Sequence, residues 1–202
     1  MNKGELRTHF KELLNRSDCS DALADTFITQ SITRIERNLR IPPMEKSYSY
    51  AITTTTTEVT IPSDFLEAIN MYYSNTSVNR VSMNRFLDVS VGGETGTPLY
   101  FTRQGSKFKI YPAPTSGSLV LNYYSSFPVM TSDTDENDLA LIASDLIAYG
   151  ALSFAADYFL DERGQLFEGR FTQLANELQG QADDAESSGT VQVIQASAQY
   201  LD

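Results

Sequence analysis

The stretch SDLIAYGALSFAADYFLDE, Ser144 to Glu162, constrains this chain more than any other, because it is apolar around most of its circumference for four turns. Asp145, Tyr149, Ser153 and Asp157 recur at four-residue steps and form one narrow polar stripe. Leu146, Ile147, Gly150, Ala151, Phe154, Ala155 and Tyr158 cover most of the rest. A helix of this kind must be enclosed on several sides. Glycine and alanine at 148, 150, 151, 155 and 156 let neighbouring helices approach closely. The stretch falls short of the roughly 18 apolar residues of a membrane span, since Asp145 and Asp157 bound it.

Neighbours for this helix are found at both ends of the chain. Leu6, Phe10, Leu13 and Leu14 predict an amphipathic helix over residues 3–15. The breakers NRSDCSD follow, with Ser20 or Asp18 as N-cap of a second helix. That helix carries Leu23, Phe27, Ile28, Ile32, Ile35 and Leu39 at helical spacing, has Arg34, Arg37 and Arg40 near its C-terminus, and stops at Pro42-Pro43. After the apolar stretch, Leu166, Phe167, Phe171, Leu174 and Leu178 predict a last helix over 165–182, broken at Gly180.

Between the helical ends the period changes to two. Tyr48, Tyr50 and Ile52 alternate with small polar residues, and TTTTTEVTIP continues the β-branched bias. A turn at Ser63-Asp64 precedes a strand through Ile69, Met71 and Tyr73. SMNRFLDV suggests a short helix and GGETGTP a loop. LYFTR and KFKIYPAP form a hairpin around Gln104-Gly105-Ser106, and SGSLVLNYYSSFP adds a strand. Five or six strands are expected in residues 46–127, followed by a polar loop, VMTSDTDENDL. The fold class is therefore α+β: a helical bundle formed by the N- and C-terminal helices, with an inserted antiparallel β-sheet or barrel module. The expected division is 1–45 and 131–182 for the bundle, 46–130 for the β module, and 183–202 for a flexible C-terminal arm.

Composition narrows the function. The net charge is −11. Residues 1–40 carry seven basic and six acidic residues, 41–130 six of each, and 131–202 two basic against fourteen acidic. An acidic surface repels phosphate backbones, which argues against a groove-gripping DNA protein and suits a surface that DNA must pass without sticking. It equally suits a solvated face that keeps the protein soluble. Cys19 is the single cysteine, so no intrachain disulfide and no multi-cysteine metal site forms. The N-terminus MNKGELRTHF is too polar for a signal peptide, and the reading is of a soluble, unexported protein.

Catalytic constellations are hard to assemble from these residues. His9 is the single histidine, and no GxSxG turn accompanies it. Asp133, Asp135 and Asn137 match the start of a calcium loop, but Asp138 and Ser144 stand where that loop needs Gly and Glu. Asp161-Glu162 and Asp183-Asp184 are read as exposed acids, and Gly92-Gly93 and Gly96 do not open a helix after a strand. Tyr48, Tyr50, Tyr72, Tyr73, Tyr100, Tyr111, Tyr123 and Tyr124 offer either a stacking platform or ordinary strand packing. The expectation is of no enzyme, cofactor or metal.

Taken together, RIERNLRIPPME, TIPSDFLEAINMYY, GTPLYFTRQGSKFKIYPAP with SLVLNYY, and DLIAYGALSFAADYFLDE with FEGRFTQLANEL resemble the head-to-tail adaptor (connector) proteins of tailed bacteriophages. The resemblance covers residues 5–180 and rests on the combination, since no single piece is a strong motif; the tail after Glu186 departs from it. It implies a structural virion protein, made in the bacterial host cytoplasm, that forms a ring, usually of twelve copies, under the portal at the capsid vertex. Such a ring extends the DNA channel, which viral DNA crosses without specific binding, and offers a surface to tail nozzle or tube proteins; no membrane is involved. The resemblance suggests Val191, Val193, Ile194 and Tyr200 as a portal-binding arm. The apolar helix suggests Tyr149, Phe154 and Tyr158 as subunit interface. Two other readings stand beside this one: a tail-completion or tail-tube protein of the same virion, and a tyrosine-lined carbohydrate-binding module.

Overall fold

A computed structural model describes residues 1–187, with side chains through residue 185. Its α+β architecture is the expected one: a helical bundle built from both chain ends, with a nearly closed seven-stranded sheet between them.

The bundle is organised around α5, Ser144–Phe159, the apolar stretch of the sequence. It packs on α1, Lys3–Leu14, on α2, Asp21–Asn38, and on α6, Gly164–Ser187, with the short α4, Asp138–Ile142, at its N-terminal end. Leu146, Ile147, Ala148, Gly150, Ala151, Leu152, Ala155 and Ala156 are all buried. The N-termini are capped as the sequence suggests. Ser20 caps α2 through the Leu23 amide, and Asn2 and Glu5 form a reciprocal capping box on α1.

The sheet follows the order β1-β7-β3-β4-β5-β6-β2. Its strands are β1 Glu45–Ile52, β2 Glu58–Thr60, β3 Phe65–Tyr73, β4 Thr76–Arg80, β5 Tyr100–Gln104, β6 Lys107–Tyr111 and β7 Gly117–Ser125. Ser74 and Asn75 take positive φ in the two-residue β3–β4 turn, the geometry that matches strand twist in a tight hairpin. Phe108 packs edge-on against Phe65 and Phe101, each 5.5 Å away, inside a core that includes Met71, Ile110, Leu119 and Leu121.

Four expectations are corrected. The sheet is mixed, because β4 and β5 pair in parallel; a parallel pair needs a crossover, and residues 81–99 provide it with α3, Met83–Val89. Among the described residues there are seven strands rather than five or six, the additional one being β4, which returns directly from β3 through the tight turn. The loop after Pro128 contains α4, capped by Asn137 through the Ala140 amide. Finally, α6 continues through Gly180 to Ser187, so residues 183–187 are helical and the helix does not end at 182.

Candidate assembly surfaces

The segment 131–137 is tied to the bundle by the aspartates that resemble a calcium loop. The Arg7 guanidinium lies between Asp25, at 2.6 Å, and Asp133, at 2.7 Å, joining α1, α2 and the segment. Hydrogen bonds from Arg7 hold the Asp133 carboxyl below its usual range. Asp135 accepts from the Thr131 and Ser132 amides and the Thr131 hydroxyl, and these bonds depress its pKa. Among the described residues no group of His, Cys, Asp and Glu is arranged to hold a metal ion.

The acidic last third forms an open cleft of about 810 Å³ where α5 turns into α6, lined by Ser153, Asp157, Asp161, Glu162, Gln165 and Glu168. Two of its acids are neutralised within the chain. Glu168 accepts from the Arg34 guanidinium at 2.8 Å and from the Ser153 hydroxyl at 2.6 Å, and the Arg34 bonds are the main reason that its carboxyl falls to about 2. Asp161 is held at about 2, chiefly by Arg163. Asp157 and Glu162 are exposed and carry the cleft's net negative charge.

Exposed apolar side chains gather at both ends of α5. Tyr158 is 63% exposed, Leu160 89% and Leu166 60%, all at the α5–α6 junction. Leu160 holds the left-handed C-cap of α5, at φ 54°, which turns its side chain away from the core. At the other end, about 24 Å away at 1.5 Å per residue, Leu141, Ile142 and Val129 are 58%, 50% and 83% exposed. Of the three residues expected at a subunit interface, Tyr158 alone is largely exposed. Tyr149 is half-buried with its ring 6.5 Å from Phe167, and Phe154 is half-buried against the bundle core. Leu160, Leu141 and Ile142 were not singled out in the sequence, where an exposed leucine looks like a core one. Val191, Val193, Ile194 and Tyr200 lie outside the described residues.

The sheet leaves a third surface. Its end strands β1 and β2 do not pair, and the gap between them is an open cleft of about 750 Å³ lined by Tyr48, Tyr50, Val59, Ile61, Asp64 and Tyr123. Tyr50 spans it, donating its hydroxyl to the Thr60 carbonyl at 2.8 Å. Tyr123 donates to Asp64 at 2.9 Å, and Tyr73 donates to the Ser116 carbonyl. Burial, as the first cause, pushes the Tyr50 and Tyr123 phenols up to about 12. These hydroxyls tie neighbouring segments of the barrel to one another.

His9 is half-buried on α1, and Cys19 is buried, with its thiol pKa pushed up by burial, the reverse of an activated nucleophile. No helix among the described residues is long and apolar enough to cross a membrane.

The described residues thus form a helical bundle joined to a nearly closed sheet, with exposed apolar side chains near both ends of α5. The family model for the SU10 adaptor protein matches residues 1–194, and the chain belongs to that family. It is a bacteriophage adaptor, a structural virion component of the head–tail junction. Comparison with curated proteins gives no match.

Proposed function

We propose that this adaptor forms a closed ring, of about twelve copies as in similar adaptors, that docks on the portal, extends the DNA channel and presents a surface to the tail. The observation that carries this reading is the presence of exposed apolar side chains near both ends of α5, Tyr158 and Leu160 at one and Leu141 and Ile142 at the other, on a chain of the adaptor family. Unlike surfaces that meet between copies make a heterologous contact, and heterologous contacts give a ring when the rotation between copies closes. The acids Asp157 and Glu162 support a wall that DNA passes without adhering. Residues 188–202, with Val191, Val193, Ile194 and Tyr200 as anchors, are the proposed portal contact.

The test is the mass of the particles formed when the protein is mixed with the portal ring of its own phage. A multi-copy complex is expected with the full chain and not with a chain ending at Ser187. No change in mass with the full chain overturns the docking, and makes a tail-side component the next reading to test with tail proteins.

A further inference from the structure

The two edges of the sheet are built differently. β2 has three residues and runs into Pro62, which blunts it as a pairing edge. β1 has eight residues, pairs with β7 along its whole length, and among the described residues has no strand on its other side. In an antiparallel edge strand, alternate residues turn both N–H and C=O outward. β1 contains no proline and no bulge, and its lysine, Lys46, is engaged with Asp64 at 2.8 Å. Its outer edge opens onto the cleft floored by Tyr48, Tyr50, Val59 and Ile61. A long edge beside a cleft that mixes tyrosines and aliphatic side chains with polar ones is a template for an added strand.

The chain carries a segment of matching character. Residues 188–201, SGTVQVIQASAQYL, contain no charge in a protein of net charge −11. Within them Ile194, Ala196, Ala198 and Tyr200 alternate with Gln195, Ser197 and Gln199, the period of a half-buried strand. The helix that leads into the segment is tied to the chain just before β1. Gln179 of α6 exchanges hydrogen bonds with the Arg40 backbone, at 3.0 and 3.1 Å, five residues before β1 begins. From Gln179, α6 runs about 12 Å further to Ser187 at 1.5 Å per residue, and each extended residue beyond it adds about 3.3 Å.

We infer that residues 191–201 add as a strand to the free edge of β1 in the same copy of the chain, with Ile194, Ala196, Ala198 and Tyr200 facing the cleft. The backbone pairing provides affinity, and the aromatic floor selects the apolar face. The inference does not depend on the portal reading. If the same segment also binds the portal, it must first leave the sheet, so the seam would store it before assembly.

Hydrogen exchange of the full chain, with no portal present, tests this. The β1 amides of Lys46–Ile52 are expected to be protected. Ile194→Asp with Ala198→Asp should speed their exchange about tenfold or more, as expected when an edge strand loses its partner. Gln195→Asp with Gln199→Asp adds the same charge to the other face and should leave β1 within about twofold of the parent, with α5 amides unchanged in both variants as a check on the fold. Equal β1 exchange in the parent and both variants would overturn the inference. So would protection that rises with protein concentration, which would place a second copy on the edge.

Discussion

At Gly150, α5 lies in close contact with both α2 and α6. A Cβ there would overlap the Ser31 hydroxyl and come to 3.0 Å from the Phe171 ring. Neither neighbour yields easily. Ser31 is fully buried and donates to the Ile147 carbonyl at 2.9 Å, while the Arg34 guanidinium sits 4.1 Å over the Phe171 ring. Alanine is ordinarily better than glycine inside a helix, by roughly 0.5–1 kcal/mol, yet overpacking a close crossing typically costs about 1–3 kcal/mol, so crowding wins. Gly150→Ala is expected to lower the urea midpoint accordingly, and Ser31→Ala in the same chain should restore part of the loss by removing the overlapped oxygen. A Gly150→Ala chain as stable as the parent would mean that the helices do not cross this closely.

Glycines of α6 are predicted to behave in the opposite way, and the contrast shows what an element's sequence can and cannot disclose. At Gly169 and Gly180 an added Cβ meets nothing within 4 Å. Gly169→Ala should therefore raise stability by about 0.5–1 kcal/mol, measured as a higher urea midpoint at unchanged slope; a lower midpoint would reveal a contact at that face. The sequence pointed to a helix break at Gly180, but one glycine costs only about 1 kcal/mol, less than the flanking residues gain by staying helical against Arg40 and the bundle. Long periodic elements were legible: Ser20 as a cap, Leu6 and Phe10 on a buried face, and the enclosed α5 all follow from spacing alone. The five residues of β4, TSVNR, bury Val78 alone and carry too little pattern to count as a strand. The parallel β4–β5 pair depends on the path of residues 81–99, which periodicity does not encode. The open seam between β1 and β2 was illegible for the same reason, since it is a property of strand order. At the bundle surface, Tyr149 and Phe154 looked as available as Tyr158, because hydrophobicity does not say which side of a helix a neighbour covers.

Across the whole molecule, bundle and barrel have separate hydrophobic clusters, yet they share a wall. Adjacent residues of β3 and β7 point opposite ways: Phe65 and Tyr123 pack into the barrel cluster, whereas Leu66 and Tyr124 pack on the bundle cluster. Backbone and side chains stitch the same boundary. Ser125 donates to the Met44 carbonyl at 3.1 Å in a buried site, the Phe127 amide donates to the Glu36 carboxylate at 2.8 Å, and Arg40 reaches Glu67 at 2.9 Å. Burial raises the Glu36 pKa against the opposing effect of the Phe127 bond, so this carboxylate is a tie made at some cost in solvation. Melting the bundle would expose Leu66 and Tyr124 and break those bonds, and the two halves should therefore unfold together. Ile147→Ala, wholly within the bundle core, should destabilise by about 2–5 kcal/mol. Its effect should appear equally in the helical signal at far-ultraviolet wavelengths and in the near-ultraviolet signal of the tyrosines, which are concentrated in the sheet. Coincident midpoints, moved together by Ile147→Ala and by Leu121→Ala in the barrel, are the signature of one cooperative unit. A helical transition that moves while the tyrosine transition stays in place would show that the barrel stands without the bundle. In that case the shared wall contributes packing but no coupling.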